Sequence, residues 1–189
     1  FLLSDEEVCY LNGGVCTLAE NACMRALKGF ENKYFDGIVN PINSVMWCNY
    51  LYWLSRLLYI NGEETLAGKV YYLNKTLNAC DLFYAIELPE IWGCEHPVGV
   101  VMGRAQYGNR FFFYQGCTVG GNRRGDRIDY PIIGDDVLMY SNASVIGRSR
   151  IGSNVTIAAN TFIINQDVTD NSFVFGNSPD IIIKEKVDL

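Results

Sequence analysis

Residues 131–166 read PIIGDDVLMYSNASVIGRSRIGSNVTIAANTFIINQ, and in this stretch a large apolar side chain returns at every sixth position. The residues concerned are Ile133, Met139, Val145, Ile151, Ile157 and Ile163. Four residues after each of the first five comes a small or β-branched one, namely Val137, Ala143, Ser149, Val155 and Thr161. A period of six fits neither an α-helix nor an ordinary β-strand, and it is typical of a solenoid built from hexapeptides. Three hexapeptides would complete one triangular coil, so residues 18 apart should stack on one another.

The same period appears upstream at Tyr107, Phe113 and Val119. Fourteen residues then separate Val119 from Ile133, and the surplus falls in the polar stretch GGNRRGDRIDYP, which cannot bury one side of a coil. We therefore expect a mainly β domain over residues 86–189, a parallel β-helix from which a loop is extruded at about residues 121–131.

Residues 1–85 are predicted to form an α-helical N-terminal domain. Ser4 and the three acidic residues after it resemble an N-cap and a first helical turn, leading into a helix that runs toward Phe30. We expect Pro41 to open a second helix and Asn61-Gly62 to end it. A third helix is predicted from about residue 63 to residue 83. Its apolar face would carry Leu66, Val70, Leu73 and Leu77.

Composition excludes several classes of function. The formal net charge is −6 and no run of Lys or Arg offsets it, so we expect no nucleic-acid partner. The longest apolar stretch, residues 45–60, contains Asn49, Ser55 and Arg56 and is shorter than a bilayer requires, which favours a buried helix and no membrane partner. Seven cysteines without a CxxC pair, and a first segment FLLSDEEV without a basic region, predict reduced thiols in the cytoplasm and no secretory signal.

The chain contains one histidine, His96, in the segment CEHPVGVVMG at residues 94–103. An isolated histidine is more often structural or simply exposed than catalytic. An imidazole titrates near neutral pH, however, and one held in place can take the proton of a hydroxyl group that attacks a thioester. The motifs around His96 favour this second interpretation.

These motifs resemble the serine O-acetyltransferase family of the hexapeptide-repeat acyltransferases. The matching segments are Glu95-His96, GVVMG at residues 99–103, QGCTVGG at residues 115–121 with an arm ending at Pro131, and FGNSPDIIIK at residues 175–184. The resemblance covers about half of the chain, from Glu87 to Lys184. It implies a left-handed parallel β-helix and acetyl transfer from acetyl-CoA to a hydroxyl group, with His96 as general base and no metal.

The resemblance also implies roles for other residues. Glu95 would hold the amino group of the acceptor, and Arg127 its carboxylate. The carboxylate that orients His96 would be Glu87, with Asp81 and Glu90 as open alternatives. Acetyl-CoA would lie in a groove between neighbouring coils of a homotrimer, which could pair further into a dimer of trimers. The residues expected to bind it are Gly120, Gly121, Ser141, Ala143, Ala159 and Lys184.

One departure from the family leaves the acceptor open. Where the family often has D-R-H-P, this chain has DRIDYP at residues 126–131, so Tyr130 replaces a second histidine. The small-molecule acceptor is therefore L-serine or, alternatively, a sugar or nucleotide sugar of surface polysaccharide synthesis. A non-enzymatic solenoid scaffold is the third interpretation.

Overall fold

A computed structural model describes residues 3–30 and 35–187 of the chain, which form a helical part followed by a β-solenoid. The helices are α1 (Asp5–Tyr10), a π-helical turn (Leu11–Val15), α2 (Cys16–Gly29), α3 (Ser44–Ile60) and α4 (Glu64–Asn78). Across these described ranges, no helix combines the length and the apolar character needed to cross a membrane.

The first helix begins as the sequence predicts. Ser4 Oγ accepts a hydrogen bond from the Glu7 amide at 3.2 Å, and Glu7 Oε2 accepts one from the Ser4 amide at 2.8 Å. This reciprocal pair satisfies two amides that a helix start otherwise leaves free. Glu7 also pairs with Lys69 Nζ at 2.6 Å, which joins α1 to α4 and holds the pKa of the Glu7 carboxyl below its usual value.

The second helix starts later than predicted. It begins at Ser44, because the side chain of Asn43 accepts hydrogen bonds from the amides of Val45 and Met46 and so caps the helix. Pro41 lies in the turn before this cap. The helix ends at Ile60, as the sequence predicted.

The third helix is shorter than predicted. It ends at Asn78 rather than near residue 83, because Ala79 adopts a left-handed backbone conformation. Leu66 and Val70 are buried, as expected of an apolar face, whereas Leu77 is 58% exposed and does not pack into the core. The chain then enters its first strand at Asp81.

Sixteen strands follow in the described part of the chain. They are β1 (Asp81–Leu82), β2 (Trp92–Cys94), β3 (Val101–Met102), β4 (Gln106–Tyr107), β5 (Phe111–Phe113), β6 (Thr118–Gly120), β7 (Asn122–Arg124), β8 (Arg127–Asp129), β9 (Ile132–Ile133), β10 (Leu138–Met139), β11 (Ser144–Ile146), β12 (Arg150–Ile151), β13 (Val155–Ile157), β14 (Phe162–Ile164), β15 (Ser172–Phe175) and β16 (Ile182–Glu185).

The strands form the three flat sides of a triangular coil. Face 1 contains β1, β3, β6, β11 and β14; face 2 contains β2, β5, β10, β13, β15 and β16; face 3 contains β4, β9 and β12. Consecutive strands along the chain pass from face 2 to face 1 to face 3, and neighbours within a face pair in parallel except β15 and β16. The predicted parallel β-helix is therefore confirmed.

The register of the strands gives the length of each coil. Met139 pairs with Ile157 and Val145 with Ile163, so one coil takes 18 residues, as the period of six requires. The coil before it takes 26 residues, since Phe113 pairs with Met139. Its eight extra residues belong to the antiparallel hairpin of β7 and β8, which projects from the corner between faces 1 and 3.

One continuous core joins the solenoid to the helices. The large residues at every sixth position from Phe113 to Ile163 are buried, and Cys48 and Tyr52 of α3 pack into the same cluster. Tyr52 fixes the segment between the first two strands, because its hydroxyl donates to Ile86 O at 3.0 Å and accepts from Leu88 N at 2.9 Å. Burial raises the pKa of Tyr52 to about 12.

Candidate active site

His96 lies at the corner of the solenoid where the chain turns from face 2 to face 1, which we call the His96 corner. Its backbone is left-handed, with φ of 50°. In the later turns at this corner the residue with positive φ is Gly116, Asn142 or Asn160, and these stack on Gly99. His96 belongs to a longer first turn and has no counterpart in them. Asparagine, glycine and, less often, histidine tolerate this conformation. The backbone conformation of the turn therefore limits which residue types can occupy position 96.

Hydrogen bonds between coils hold the His96 corner in register. The Gly116 amide donates to Val98 O at 3.0 Å, and the Asn160 amide donates to Ser141 O at 2.9 Å two coils further on. Asn142 Nδ2 also donates to Asn160 Oδ1 at 3.2 Å. His96 is thus placed at one end of a rigid edge that continues along the solenoid.

His96 opens onto a pocket of about 560 Å³ at this corner. Glu95 and Tyr114 form part of the lining, and residues 42–45, ahead of and within the first turn of α3, form the rest. Burial raises the pKa of the Tyr114 phenol, and the nearby Tyr140 and Glu95 raise it further. The pocket therefore combines an imidazole, a carboxylate and a phenol that stays protonated at neutral pH.

The structure brings Glu95 to His96 but does not bring Glu87 there. Glu87 lines a different pocket, beside face 3, where its Oε2 lies 3.9 Å from Arg56 Nη2 and its side chain is 86% exposed. The reason is the Tyr52 hydroxyl, which binds the backbone on both sides of Glu87 and leaves Glu87 directed outward between two buried neighbours. Within the ranges described, the side chain of His96 makes no hydrogen bond or ion pair.

The two alternative carboxylates are also occupied. Glu90 pairs with Arg25 at 2.9 Å. Asp81 accepts from the Tyr71 hydroxyl at 2.7 Å and pairs with Lys75 Nζ at 2.8 Å, contacts that raise the pKa of Lys75. Asp81 nevertheless belongs to the segment beside the His96 corner, because its amide donates to Val100 O at 2.8 Å.

Three residues predicted to contact acetyl-CoA lie along the His96 corner, but only two face outward. Ser141 is half-buried and Ala159 is exposed, and they stand 18 residues apart at the same turn. Ala143 is fully buried, and its amide and carbonyl are bonded to Tyr140 O and to the Thr118 amide. Ala143 fills the interior of the coil and so offers no surface to a ligand.

Gln115 also lies at the His96 corner. The sequence marks it only as the first residue of the QGCTVGG motif. Its Oε1 is buried and has no hydrogen-bond partner among the residues that the structure describes. A buried amide oxygen without a donor is uncommon and indicates a missing partner, such as a ligand or another chain. Together with Tyr114 and residues 42–45, Gln115 extends the candidate site beyond the residues that sequence reasoning identified.

The two glycines of the QGCTVGG motif lie at a different corner. Gly120 ends β6 at the turn from face 1 to face 3, and a side-chain carbon there would meet only Ile146 Cδ1 at 3.9 Å. At Gly121 such a carbon would lie 2.8 Å from both Ile128 and Tyr130 of the hairpin. Gly121 therefore allows the hairpin to close on itself, and neither glycine lies at the His96 corner of its own chain.

Arg127 also lies on the hairpin, where its Nε pairs with Asp129. The Arg127 side chain is 79% exposed, whereas that of Asp129 is 8% exposed. The arm is thus an ordered hairpin with an internal ion pair. Lys184 lies on β16 of face 2, opposite Phe173.

In the two stretches that the structure covers, no three histidine, cysteine, aspartate or glutamate side chains are grouped as metal ligands.

Comparison with known proteins extends the similarity beyond single motifs. No protein-family model matches the chain. A curated serine acetyltransferase of Staphylococcus aureus strain Mu50 is 42% identical over 135 residues, which is 70% of this chain and 62% of that protein. The chain thus spans less than two thirds of the length of this relative.

Solved structures share the fold. A serine acetyltransferase of Neisseria gonorrhoeae in complex with serine superposes with a TM-score of 0.70 and 27% identity, over 90% of this chain and 70% of that one. A serine acetyltransferase of Brucella abortus strain S19 in complex with coenzyme A gives a TM-score of 0.73 and 17% identity, over 96% and 72% of the two chains. These matches confirm the predicted resemblance and the left-handed β-helix.

Proposed function

Because this chain resembles serine acetyltransferases in both sequence and fold, we propose that it is an acetyl-CoA-dependent O-acetyltransferase, with L-serine as its first candidate acceptor. The observation that carries the proposal is the position of His96 at an open pocket beside Glu95. The relatives named above bind serine in one case and coenzyme A in another, which supports the same pair of ligands here.

In the proposed reaction His96 takes the proton of the acceptor hydroxyl as its oxygen attacks the thioester carbonyl. The bond between the carbonyl carbon and sulfur then breaks, and the proton passes to the thiolate of coenzyme A. Glu95 would hold the amino group of serine by charge, and Tyr114 can donate a hydrogen bond because its phenol remains protonated. No covalent intermediate on the protein is required.

We assign the orientation of His96 to Asp81 rather than to Glu87. The Gly99 amide donates to Ala79 O at 2.8 Å, so the backbone after His96 lies against the backbone before Asp81. Glu87 is directed away toward Arg56. In this proposal Asp81 would act as a positioning residue, and its carboxylate would have to turn from Tyr71 and Lys75 to reach the imidazole.

The His96 corner supports a groove for the pantetheine arm of acetyl-CoA. Ser141 and Ala159 present small side chains one coil apart along this corner, and the buried Gln115 Oε1 has no donor within the described residues. Lys184 remains a candidate contact for a phosphate. Gly120 and Gly121 would approach the ligand only from the hairpin corner of a neighbouring subunit.

We further propose that the chain acts as a homotrimer. Large apolar side chains on the outer sides of faces 1 and 2 are 39% to 56% exposed; they are Val101, Phe162, Phe173, Phe175 and Ile182. A neighbouring subunit would cover them and would bring its hairpin to the His96 corner. Pairing of two trimers would appear as a sixfold mass in light scattering. All seven cysteines are free thiols, in keeping with our proposal of a cytoplasmic enzyme.

A sugar or nucleotide sugar is the second candidate acceptor. It is favoured by the hairpin, where Arg127 is already paired with Asp129 and is therefore not free to bind the carboxylate of serine.

The experiment that tests the proposal measures the release of free thiol from acetyl-CoA. Purified protein is assayed with L-serine and with a panel of sugars and nucleotide sugars, and a His96→Asn variant serves as the control. Thiol release that requires L-serine and is lost in the variant would support the hypothesis that the chain is a serine acetyltransferase. Release with a nucleotide sugar alone would move the acceptor to the second class. The absence of thiol release with every acceptor would favour the non-enzymatic scaffold.

A further inference from the structure

A cleft with a strong positive charge lies between the hairpin and face 3, and we call it the arginine cleft. Its volume is about 530 Å³. It is lined by four arginines, namely Arg104, Arg127, Arg148 and Arg150. The chain as a whole carries a net charge of −6, so this concentration of guanidinium groups is opposite in sign to the rest of the molecule. Of these four arginines, only Arg127 has a role in the assignments above, as the expected contact of the acceptor carboxylate.

Only one of the four arginines has its charge balanced. Arg127 pairs with Asp129, the single acidic residue of the lining. Arg104, Arg148 and Arg150 form no ion pair within residues 3–30 and 35–187. Like charges that converge on one cleft repel one another, and a bound anion removes that repulsion. The arrangement therefore favours a ligand that carries several negative charges.

The arginines are attached to fixed parts of the structure. The backbone amide of Arg150 donates to Asp167 Oδ1 at 3.0 Å, and that of Arg148 to Asn165 Oδ1 at 3.2 Å. The guanidinium group of Arg104 lies over the ring of Tyr130, 5.7 Å from its centroid, which orients it without neutralising it. The backbone of Arg148 and Arg150 is thus fixed beside the cleft, and the hairpin orients the guanidinium group of Arg104.

We propose that the arginine cleft binds the phosphate or diphosphate group of a nucleotide. Guanidinium forks match the oxygens of phosphate, and a diphosphate can accept hydrogen bonds from two or three of them at once. A single carboxylate would balance only one of the three free charges. The same chemistry occurs in the 3′-phospho-ADP part of coenzyme A and in a nucleoside diphosphate sugar, so the experiment must separate these two sources.

The first measurement is a calorimetric titration of the full chain with inorganic pyrophosphate. The test variant is the double substitution Arg148→Gln with Arg150→Gln. Its matched control is Arg123→Gln with Arg124→Gln, which removes the same charge from the hairpin outside the cleft. We expect the test variant to weaken pyrophosphate binding by about tenfold or more and the control by less than about twofold, since direct contacts outweigh long-range attraction in salt.

The second measurement is competition of bound pyrophosphate with UDP or with adenosine 3′,5′-bisphosphate. Displacement by UDP would assign the cleft to a nucleotide-activated acceptor, and displacement by the bisphosphate would assign it to coenzyme A. Three results would overturn the proposal. The first is no pyrophosphate binding by the wild type, and the second is an equal loss of affinity in both double variants. The third is a test variant whose affinity is unchanged but whose oligomer has a different mass. The last result would mean that the arginines pair with acidic residues of a neighbouring subunit. None of these results depends on whether acetyl transfer occurs.

Discussion

Tyr114, which lines the pocket of His96, stacks on Tyr140 of the following coil, with ring centroids 5.3 Å apart and ring planes at 18°. The stack connects the pocket wall to the edge that carries Ser141. Offset aromatic pairs of this kind contribute about 1 kcal/mol beyond the area that they bury.

Replacing Tyr114 should therefore weaken binding more than chemistry. We expect Tyr114→Ala to raise the KM for acetyl-CoA about fivefold, because the pocket wall loses its support, while kcat changes less. Tyr114→Phe is the matched control, since it keeps the stacked ring and removes only the hydroxyl. If Tyr114→Phe raises KM as much as Tyr114→Ala does, the hydroxyl and not the stack is responsible.

Replacing His96 with asparagine should separate catalysis from folding. The backbone of His96 is left-handed, and asparagine adopts this conformation elsewhere in the chain, as at Asn142 and Asn160, so His96→Asn should be accepted by the turn. We expect a loss of about 10²-fold to 10⁴-fold in kcat/KM with an unchanged circular dichroism spectrum and melting temperature. Retained activity would eliminate His96 as the general base.

Two of the three carboxylates considered for orienting His96, Glu87 and Asp81, can be compared directly. We expect Glu87→Gln to change kcat by less than about twofold, because the side chain is largely in solvent and acts only on Arg56. Asp81→Asn should lower kcat about tenfold or more and shift the pH profile of kcat/KM, which a purely structural loss would not do. An unshifted profile with reduced stability would mean that Asp81 serves only Tyr71 and Lys75.

Gly116 should be essential for the packing of the His96 corner. A side-chain carbon there would overlap Asn142 Oδ1, and the backbone is left-handed with φ of 67°. Gly125 at the hairpin tip has φ of 59° and open space around it, so Gly125→Ala measures the backbone strain alone. We expect Gly116→Ala to lower the free energy of unfolding by about 2 to 4 kcal/mol and Gly125→Ala by about 1 kcal/mol. Chemical denaturation of both variants checks this; equal losses would show that Asn142 moves aside freely.

Ionisation of the Tyr52 phenol should lower the free energy of unfolding at alkaline pH. Its pKa is about 12 in the folded chain and about 10 when exposed, so between these values the unfolded chain releases a proton that the folded chain retains. This contribution to stability is fully present below pH 10 and is lost as the pH rises toward 12. Tyr52→Phe should be less stable by about 1 to 3 kcal/mol at pH 7, because Ile86 O and Leu88 N lose their partner. Urea unfolding at pH 7 and pH 11 should show this difference shrinking, and a constant difference would contradict it.

The solenoid could be predicted from the sequence because its pattern is local. The interior accepts a large side chain at one position of each hexapeptide, so Met139, Ile157 and their equivalents mark the coils directly. The same counting located the eight-residue insertion. Counting could not give the internal form of the hairpin, because the burial of Asp129 beside Arg127 depends on contacts that form only when the arm folds back.

The candidate site was predictable only in part, because it is assembled from distant segments. His96 was identified from its motif, and Glu95 followed from it. Glu87 was chosen for its position in the sequence, and a tyrosine hydroxyl from α3, 35 residues earlier, turns it away from His96. Contacts between residues so far apart in sequence produce no periodic pattern from which they could be predicted. The same is true of the arginine cleft, since Arg104 and Arg150 become neighbours only when the coils stack.

The 26-residue coil has a consequence for how such proteins diversify. The strands on both sides of the hairpin remain in the common register, with β6 paired to β11 and β4 paired to β9, as though the inserted residues were absent. Closing a somewhat longer loop costs little, since the entropy lost rises only with the logarithm of its length. We therefore expect the segment between Gly120 and Pro131 to be replaceable without disturbing the coils on either side. A transplanted arm could redirect substrate choice while the scaffold that carries the histidine is inherited unchanged.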